Sequence, residues 1–227
     1  MSSQLKPIKI WGKGGPNPPK VAIVVAELGL PHEIIPIPLS EVKDPKYLAI
    51  NPNGRIPSIY DPNTDLVLWE SGAIIEYLIE RYDTTQRLSF ARGTNESYLA
   101  KQWLYFQVSG QGPYYGQASW FKKFHPEKVP SALERYVKEI NRVTGVLEGH
   151  LGRQKEQVDG GDGPWLVGNK YSFADIAFLS WQTIVVRVIQ KEDGYDPDDF
   201  PLVKDWLNRI LSRDAVKVVM GDVQPVV

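Results

Sequence analysis

The 227-residue chain is predicted to fold as an α/β unit followed by an all-helical one. Three observations predict it. Up to residue 88, short apolar runs with strand spacing are interspersed with helix patterns, whereas past residue 92 every strong pattern has apolar residues three and four apart. Pro and Gly stand where the elements of the first half should start or stop. No cysteine is present to impose a disulfide framework instead. The expected domains are 1–88 and 92–227.

Ile8 and Ile10 alternate with lysines as in a short strand. Pro18-Pro19 open a helix over Lys20–Leu28, which Gly29 closes as a C-terminal cap. Ile34–Leu39 reads as a strand, and Pro36 and Pro38 confine it to a sheet edge. Ile56–Tyr60 and Leu66–Trp69 flank the polar run 61–65 as a hairpin. From Glu70 to Tyr82 a helix is predicted, with Ala73, Ile74, Tyr77, Leu78 and Tyr82 on one face. In the second half, helices are predicted over Tyr98–Phe121 and Val129–Leu151, then a polar, Gly-rich loop over Arg153–Pro164. Ser172-Phe-Ala-Asp175 is a capping-box start to a helix over Phe173–Ile189, and Leu202–Leu211 is a further helix.

Composition narrows the function. Lys plus Arg total 26 against 27 Asp plus Glu, a net charge of -1, which leaves no basic excess for nucleic acid or an anionic membrane. The longest apolar run, Val21–Ala26, falls far short of the about 20 residues a membrane helix needs. The first residues lack the apolar core of a secretion signal, so a cytoplasmic protein is expected. With no cysteine, any sulfur chemistry must run on sulfur that a ligand brings. His32, His125 and His150 show no metal spacing, and no metal is expected. Gly12-Lys-Gly-Gly15 lacks the end of a phosphate loop, and the acidic run 192–199 lacks the order of a calcium loop.

Two runs carry a resemblance. Asn51-Pro-Asn-Gly-Arg-Ile-Pro-Ser-Ile59 and Trp69-Glu-Ser-Gly-Ala-Ile-Ile-Glu-Tyr-Leu78 resemble the thioredoxin-like domain of the glutathione transferases. Ser172–Asp175 resembles the capping box of that superfamily's helical domain. The runs 15–21, 109–117 and 132–136 are similar to the subgroup that holds the yeast nitrogen-catabolite regulator and bacterial disulfide-bond oxidoreductases. The resemblance implies a thioredoxin-like domain before an all-α domain, a homodimer, and glutathione or oxidised glutathione as ligand.

By that resemblance, Asn17 takes the place that Tyr, Ser or Cys holds in other glutathione transferases, and its amide would donate to the glutathione sulfur. Ile56, before a cis Pro57, would pair its backbone with the cysteinyl unit. Ser71 and the helix start would hold the γ-glutamyl carboxylate, and Glu70 the α-ammonium. For the glycine carboxylate the loop offers Val42 or Lys43, with Lys43 electrostatically suited; Asn53, Arg55 and Arg135 are further contacts. Tyr114, Tyr115, Gln117, Trp120, Phe121 and Trp181 would line a second-substrate site for a small electrophile, peroxide or disulfide. Each has a plainer structural alternative: a helix cap for Asn17 and Ser71, a solvated cation for Lys43, core packing for the aromatics. The implied activity is attack by a bound glutathione thiolate, with disulfide reduction and peroxidase chemistry ranked above conjugation. The alternative is a regulator that binds a transcription factor, like the yeast relative. That relative carries an Asn/Gln-rich extension, whereas strand signals here are expected to start at Ile8.

Overall fold

The alternation at Ile8 and Ile10 becomes strand β1 (Ile8–Trp11), with both isoleucines buried and Lys9 exposed. In the computed structural model, which describes residues 5–157 and 162–221, β1 lies inside a mixed sheet of order β2-β1-β3-β4. Strand β2 (His32–Ile35) runs parallel to β1; β3 (Ser58–Asp61) and β4 (Leu66–Trp69) follow antiparallel, with Ile10 opposite Ile59 and Ile59 opposite Leu68. Helix α1 (Pro18–Glu27) starts at the two prolines as predicted, and Gly29 takes the left-handed conformation just past its end. Strand β2 is an edge strand, but it covers His32–Ile35 rather than Ile34–Leu39. Pro36 and Pro38 have no N–H for a ladder, so pairing stops before them. A short helix α2 (Pro45–Leu48), too brief to leave a periodic signal, precedes the hairpin.

Helix α3 (Ser71–Tyr82) buries Ile74, Ile75 and Leu78, one step round from the predicted face; Ala73 is exposed. The face turns because Tyr77 and Tyr82 are drawn to a buried carboxylate. Asp61 accepts hydrogen bonds from both hydroxyls and from the N–H and amide of Asn63. Burial works to raise its pKa, but these bonds lower it on balance. A lowered native pKa means that the carboxylate stabilises the fold above its unfolded value of about 3.9, and that this is lost as pH falls through the native value. Tyr82→Phe is therefore expected to cost about 2 kcal/mol at neutral pH and progressively less in acid. Urea titrations of both proteins at the two pH values check this, and a difference independent of pH would refute it.

This first unit is the thioredoxin-like arrangement that the resemblance implies. It also takes in α9 (Asp214–Met220), which packs on α1 with Val216 buried. Residues 214–221 thus group with 5–87, whereas sequence texture assigned everything past residue 92 to the second domain.

The second unit, from residue 88 to 213, is helical. Helix α4 (Asn95–Phe106) starts at a Thr94 cap and continues through a π-helical stretch, 107–111, into α5 (Gly112–Lys123). Helix α6 (Pro130–Gln157) extends through the start of the predicted loop, and residues 158–161 of that loop lie outside the described residues. Helix α7 (Phe173–Val188) has the predicted capping box, and α8 (Pro201–Leu211) follows. Tyr115, Ile140, Val143 and Val185 are fully buried members of one core cluster.

Candidate functional site

Glycine at position 12 lets the end of β1 approach two other segments. Its φ is +106°, and a Cβ there would stand 2.8 Å from Ile56 Cβ and 3.1 Å from Pro18 Cγ. The start of α1 is thereby brought against the loop that enters β3. Asn17 flanks α1 in helical conformation, half-buried, and its side chain makes no capping bond. Pro18 and Pro19 occupy the first two helical positions, where a cap would otherwise find N–H groups. The plain capping role considered for Asn17 is not what its amide does here.

The loop before β3 is held from beneath. Asn51, 1% exposed, donates from Nδ2 to the Arg55 carbonyl at 2.7 Å and accepts from the Asn53 N–H at 2.9 Å. Tyr47, at the end of α2, donates to the same carbonyl at 2.8 Å and meets Ser58 Oγ at 3.0 Å; burial raises its phenol pKa. These bonds present the Ile56–Pro57 peptide, which is cis. Among the described residues no hydrogen bond takes the N–H or C=O of Ile56, so this backbone can pair with an extended chain as an added strand would.

At the start of α3, Glu70 adopts φ 71° and ψ 114°, a conformation that costs a non-glycine residue about 1–3 kcal/mol. Ser71 is buried at the first helical position, where N–H groups and the helix dipole favour an anion. The Glu70 carboxylate is exposed and accepts from Asn53 Nδ2 at 3.4 Å. Lys43 lies across the same loop, its ammonium 2.8 Å from the Asn53 carbonyl. Gly54 permits this, for a Cβ there would fall 2.8 Å from Lys43 Nζ and 2.7 Å from the Val42 carbonyl. Arg55 is exposed, and its carbonyl rather than its guanidinium joins the network. On α1, three residues past Asn17, the side chain of Lys20 is buried at 1% exposure and is attracted by Glu70. The structure therefore gathers Asn17, Lys43, Asn53, Ile56, Pro57, Glu70 and Ser71 in the first unit.

The remaining candidates belong to the second unit. Two of them are core residues rather than lining. Tyr115 is fully buried, its hydroxyl 2.8 Å from Thr144 Oγ1, and burial pushes its pKa well above the usual phenol value. Trp181, 9% exposed, packs edge-on to Tyr115 at 6.5 Å and fills the space that Gly116 leaves on α5. The large rings go inward because α6 and α7 sandwich this side of α5. Tyr114 and Phe121 are half-buried against Tyr136, Gln117 is exposed, and Trp120, 48% exposed, stacks on Phe124. Arg135 is exposed on α6. Among the described residues no three His, Asp or Glu side chains gather to hold a metal ion, and no helix is long and apolar enough to cross a membrane.

Sequence reasoning missed Gly12, Tyr47 and Asn51 as site builders, and Lys20 altogether. Asn51 had a signal, the Asn-Pro-Asn-Gly turn run; the others act through contacts distant in sequence.

The family model for the glutathione S-transferase N-terminal domain matches residues 13–86, and that for the C-terminal domain matches residues 113–214. The chain is 66% identical to the glutathione S-transferase-like protein gedE of Aspergillus terreus over 98% of each chain. It is 35% identical to the transcriptional regulator URE2 of Saccharomyces cerevisiae, over 92% of this chain and 66% of the regulator. Among solved structures it superimposes on the glutathione transferase URE2P6 of Phanerochaete chrysosporium, crystallised with oxidised glutathione, with TM-score 0.86, 45% identity and 98% of each chain covered.

Proposed function

The chain belongs to the glutathione S-transferase family, and from that membership we propose that it is an enzyme that binds glutathione in its first unit and directs the thiolate at a second substrate. The observation that carries the reading is the approach of the start of α1 to the cis Ile56–Pro57 loop at Gly12, with Asn53 of that loop donating to Glu70 at the start of α3. Each end of the tripeptide finds its complement there. Ile56 offers N–H and C=O to the cysteinyl backbone; Ser71 and the α3 N-terminus suit the γ-glutamyl carboxylate, and the Glu70 carboxylate suits the α-ammonium. Lys43, Asn53 and Arg55 are proposed for the remaining polar contacts, with Lys43 for the glycine carboxylate. Asn17 donates to the sulfur; an amide cannot accept the proton, so the thiol proton leaves to solvent and the donor with the α1 dipole favours thiolate.

The thiolate then attacks a disulfide, a peroxide or an electrophilic carbon. With no cysteine in the chain, reduction of a disulfide uses two glutathione molecules. The first displaces one thiol to form a mixed disulfide; the second releases the other thiol and leaves oxidised glutathione. Reduction of disulfides or peroxides is proposed ahead of conjugation, supported by the oxidised glutathione in URE2P6. Tyr114, Gln117 and Trp120 are the proposed contacts for the second substrate, and a cytoplasmic homodimer is the proposed working form. Calorimetric titration with reduced and oxidised glutathione, followed by turnover assays on a small disulfide, a hydroperoxide and an aryl halide, tests the reading; binding of neither form would overturn it. The likeness to URE2 supports a second reading, a regulator that binds a transcription factor. A stoichiometric protein partner without turnover would favour it.

A further inference from the structure

One turn of the long helical run from Asn95 to Lys123 is not α-helical. Between α4 and α5, residues 107–111 form a π turn, closed by the Gly112 N–H donating to the Gln107 carbonyl five residues back. Pro113 accounts for the widening: it has no N–H for the carbonyl four residues back, and its ring crowds that carbonyl. A π turn takes up one residue more than an α turn, so each residue of α5 stands about 100° behind its place in an uninterrupted helix. The burial of α5 follows from that offset. Tyr115 and Ala118 are fully buried, whereas Tyr114 is half-buried and Gln117 and Trp120 are exposed. With an α turn in its place, Tyr114 would move into the slot of Tyr115, Gln117 into that of Ala118, and Tyr115 into that of Gly116. Two side chains inside the core tie the turn down. Gln107 and Gln111 are both 0% exposed, although a buried amide is costly unless it is bonded. Gln107 Nε2 donates to Gln111 Oε1 at 3.0 Å, and Gln111 Nε2 donates to the Phe178 carbonyl of α7 at 3.3 Å. Gln107 interacts elsewhere as well, so the tie to α7 is the work of Gln111.

Resting on the second-substrate contacts proposed above, we infer that Gln111 is a positioning residue: it locks the π turn to α7 and so keeps Tyr114, Gln117 and Trp120, rather than Tyr115 and Ala118, on the face of α5 that meets the second substrate. The π turn is a rare form in helices, and here a bond from outside the helix reaches its last residue. The Gln107–Gln111 bond joins the first residue of the turn to that anchored one. Without the anchor, the turn is free to exchange with an α turn, and the outward residues of α5 lose their fixed register. Glutathione binding in the first unit does not depend on this register; binding of the second substrate does.

The test uses Gln111→Leu, which keeps an apolar filling of the core and removes both bonds. Tyrosine nitration, mapped by peptide mass spectrometry, reads the register directly. Wild type should react at Tyr114 and not at Tyr115; in Gln111→Leu, Tyr115 should gain reactivity as Tyr114 loses it. In turnover of a small disulfide, the variant's KM for the disulfide should rise about tenfold with kcat and glutathione affinity unchanged. Deletion of Ser109 together with Pro113→Ala shortens the π turn to an α turn without rotating α5. Added to Gln111→Leu, it should restore both the nitration pattern and KM, which a mere packing role for Gln111 would not allow. A second variant spares the core: Pro113→Ala, at an exposed position, gives the α turn its missing N–H and should move the nitration in the same direction. Nitration unmoved in both variants, an unchanged KM in Gln111→Leu, or no rescue by the shortened turn would overturn the inference. Wild type with the expected nitration pattern but no turnover of a disulfide, hydroperoxide or aryl halide would overturn the functional reading and the inference with it.

Discussion

Replacement of Asn17 by Ala should raise the pKa of a bound glutathione thiol back towards its solution value and lower kcat/KM by about a hundredfold, the scale found when a single donor to a developing or stored anion is removed. The argument is about donors. Asn17 stands at the start of α1 without capping it, and Pro18 and Pro19 offer no N–H of their own. A sulfur placed there therefore depends on the side-chain amide for a neutral donor, with the helix dipole adding a smaller, delocalised contribution. The ultraviolet thiolate band, recorded against pH with ligand bound, reads the shift directly. Wild type should hold thiolate well below pH 8.5, the usual thiol value, whereas the variant should need pH near it. Its activity should accordingly recover as pH rises. Asn17→Asp should be no better, since a carboxylate cannot donate and repels the thiolate. A thiolate titration unchanged in Asn17→Ala would assign the sulfur to another donor and return Asn17 to a merely structural part of the turn.

The largest expected loss of stability lies elsewhere. Asp175→Ala should cost about 3–5 kcal/mol, the scale for removing one partner from a buried charged network. Its carboxylate is fully buried and accepts from the N–H of Leu166 at 3.0 Å, the N–H of Ser172 at 2.9 Å, Ser172 Oγ at 3.0 Å and Trp206 Nε1 at 2.9 Å. Alanine strands all four donors in the core at once. It also removes half of the capping box that starts α7, a helix whose residues from Phe173 to Thr183 are all buried. Asp175→Asn keeps an acceptor but turns an NH₂ towards donors, so its loss should be intermediate. Ser172→Ala should cost only about 1 kcal/mol, because it removes a cap and leaves the carboxylate's other partners in place. Urea midpoints, with unchanged slope, measure each value. A cost below about 1 kcal/mol for Asp175→Ala would mean that the second unit's core does not depend on this junction.

Much of the molecule was legible without the structure because its signals are local. The prolines that open α1, the capping box at Ser172–Asp175 and the alternation in β1 each act within a few residues, where the backbone's own hydrogen-bond needs decide the outcome. The motifs around Asn51–Ile59 and Glu70-Ser71 place the candidate site in the same way. The errors arise where distant partners intervene. Helix α3 turns by one position because Asp61, read as the start of a loop, is a buried acceptor for Tyr77 and Tyr82. Tyr115 stands in the same aromatic run of α5 as Tyr114 and Trp120, and only the packing of α6 and α7 on α5 separates core from surface.

By itself, then, the sequence determined the order of the main strands and helices, the two-part architecture, the absence of protein thiol chemistry and the family to which the chain belongs. Tertiary structure alone decided that Gly12 brings the start of α1 to Ile56, that Glu70 is held at positive φ, that Lys20 is buried, and that α9 returns to α1. The physical reason is range. Helix caps and strand periods depend on a residue's immediate neighbours along the chain, whereas burial, electrostatic partnership and close approach depend on residues that only folding brings together.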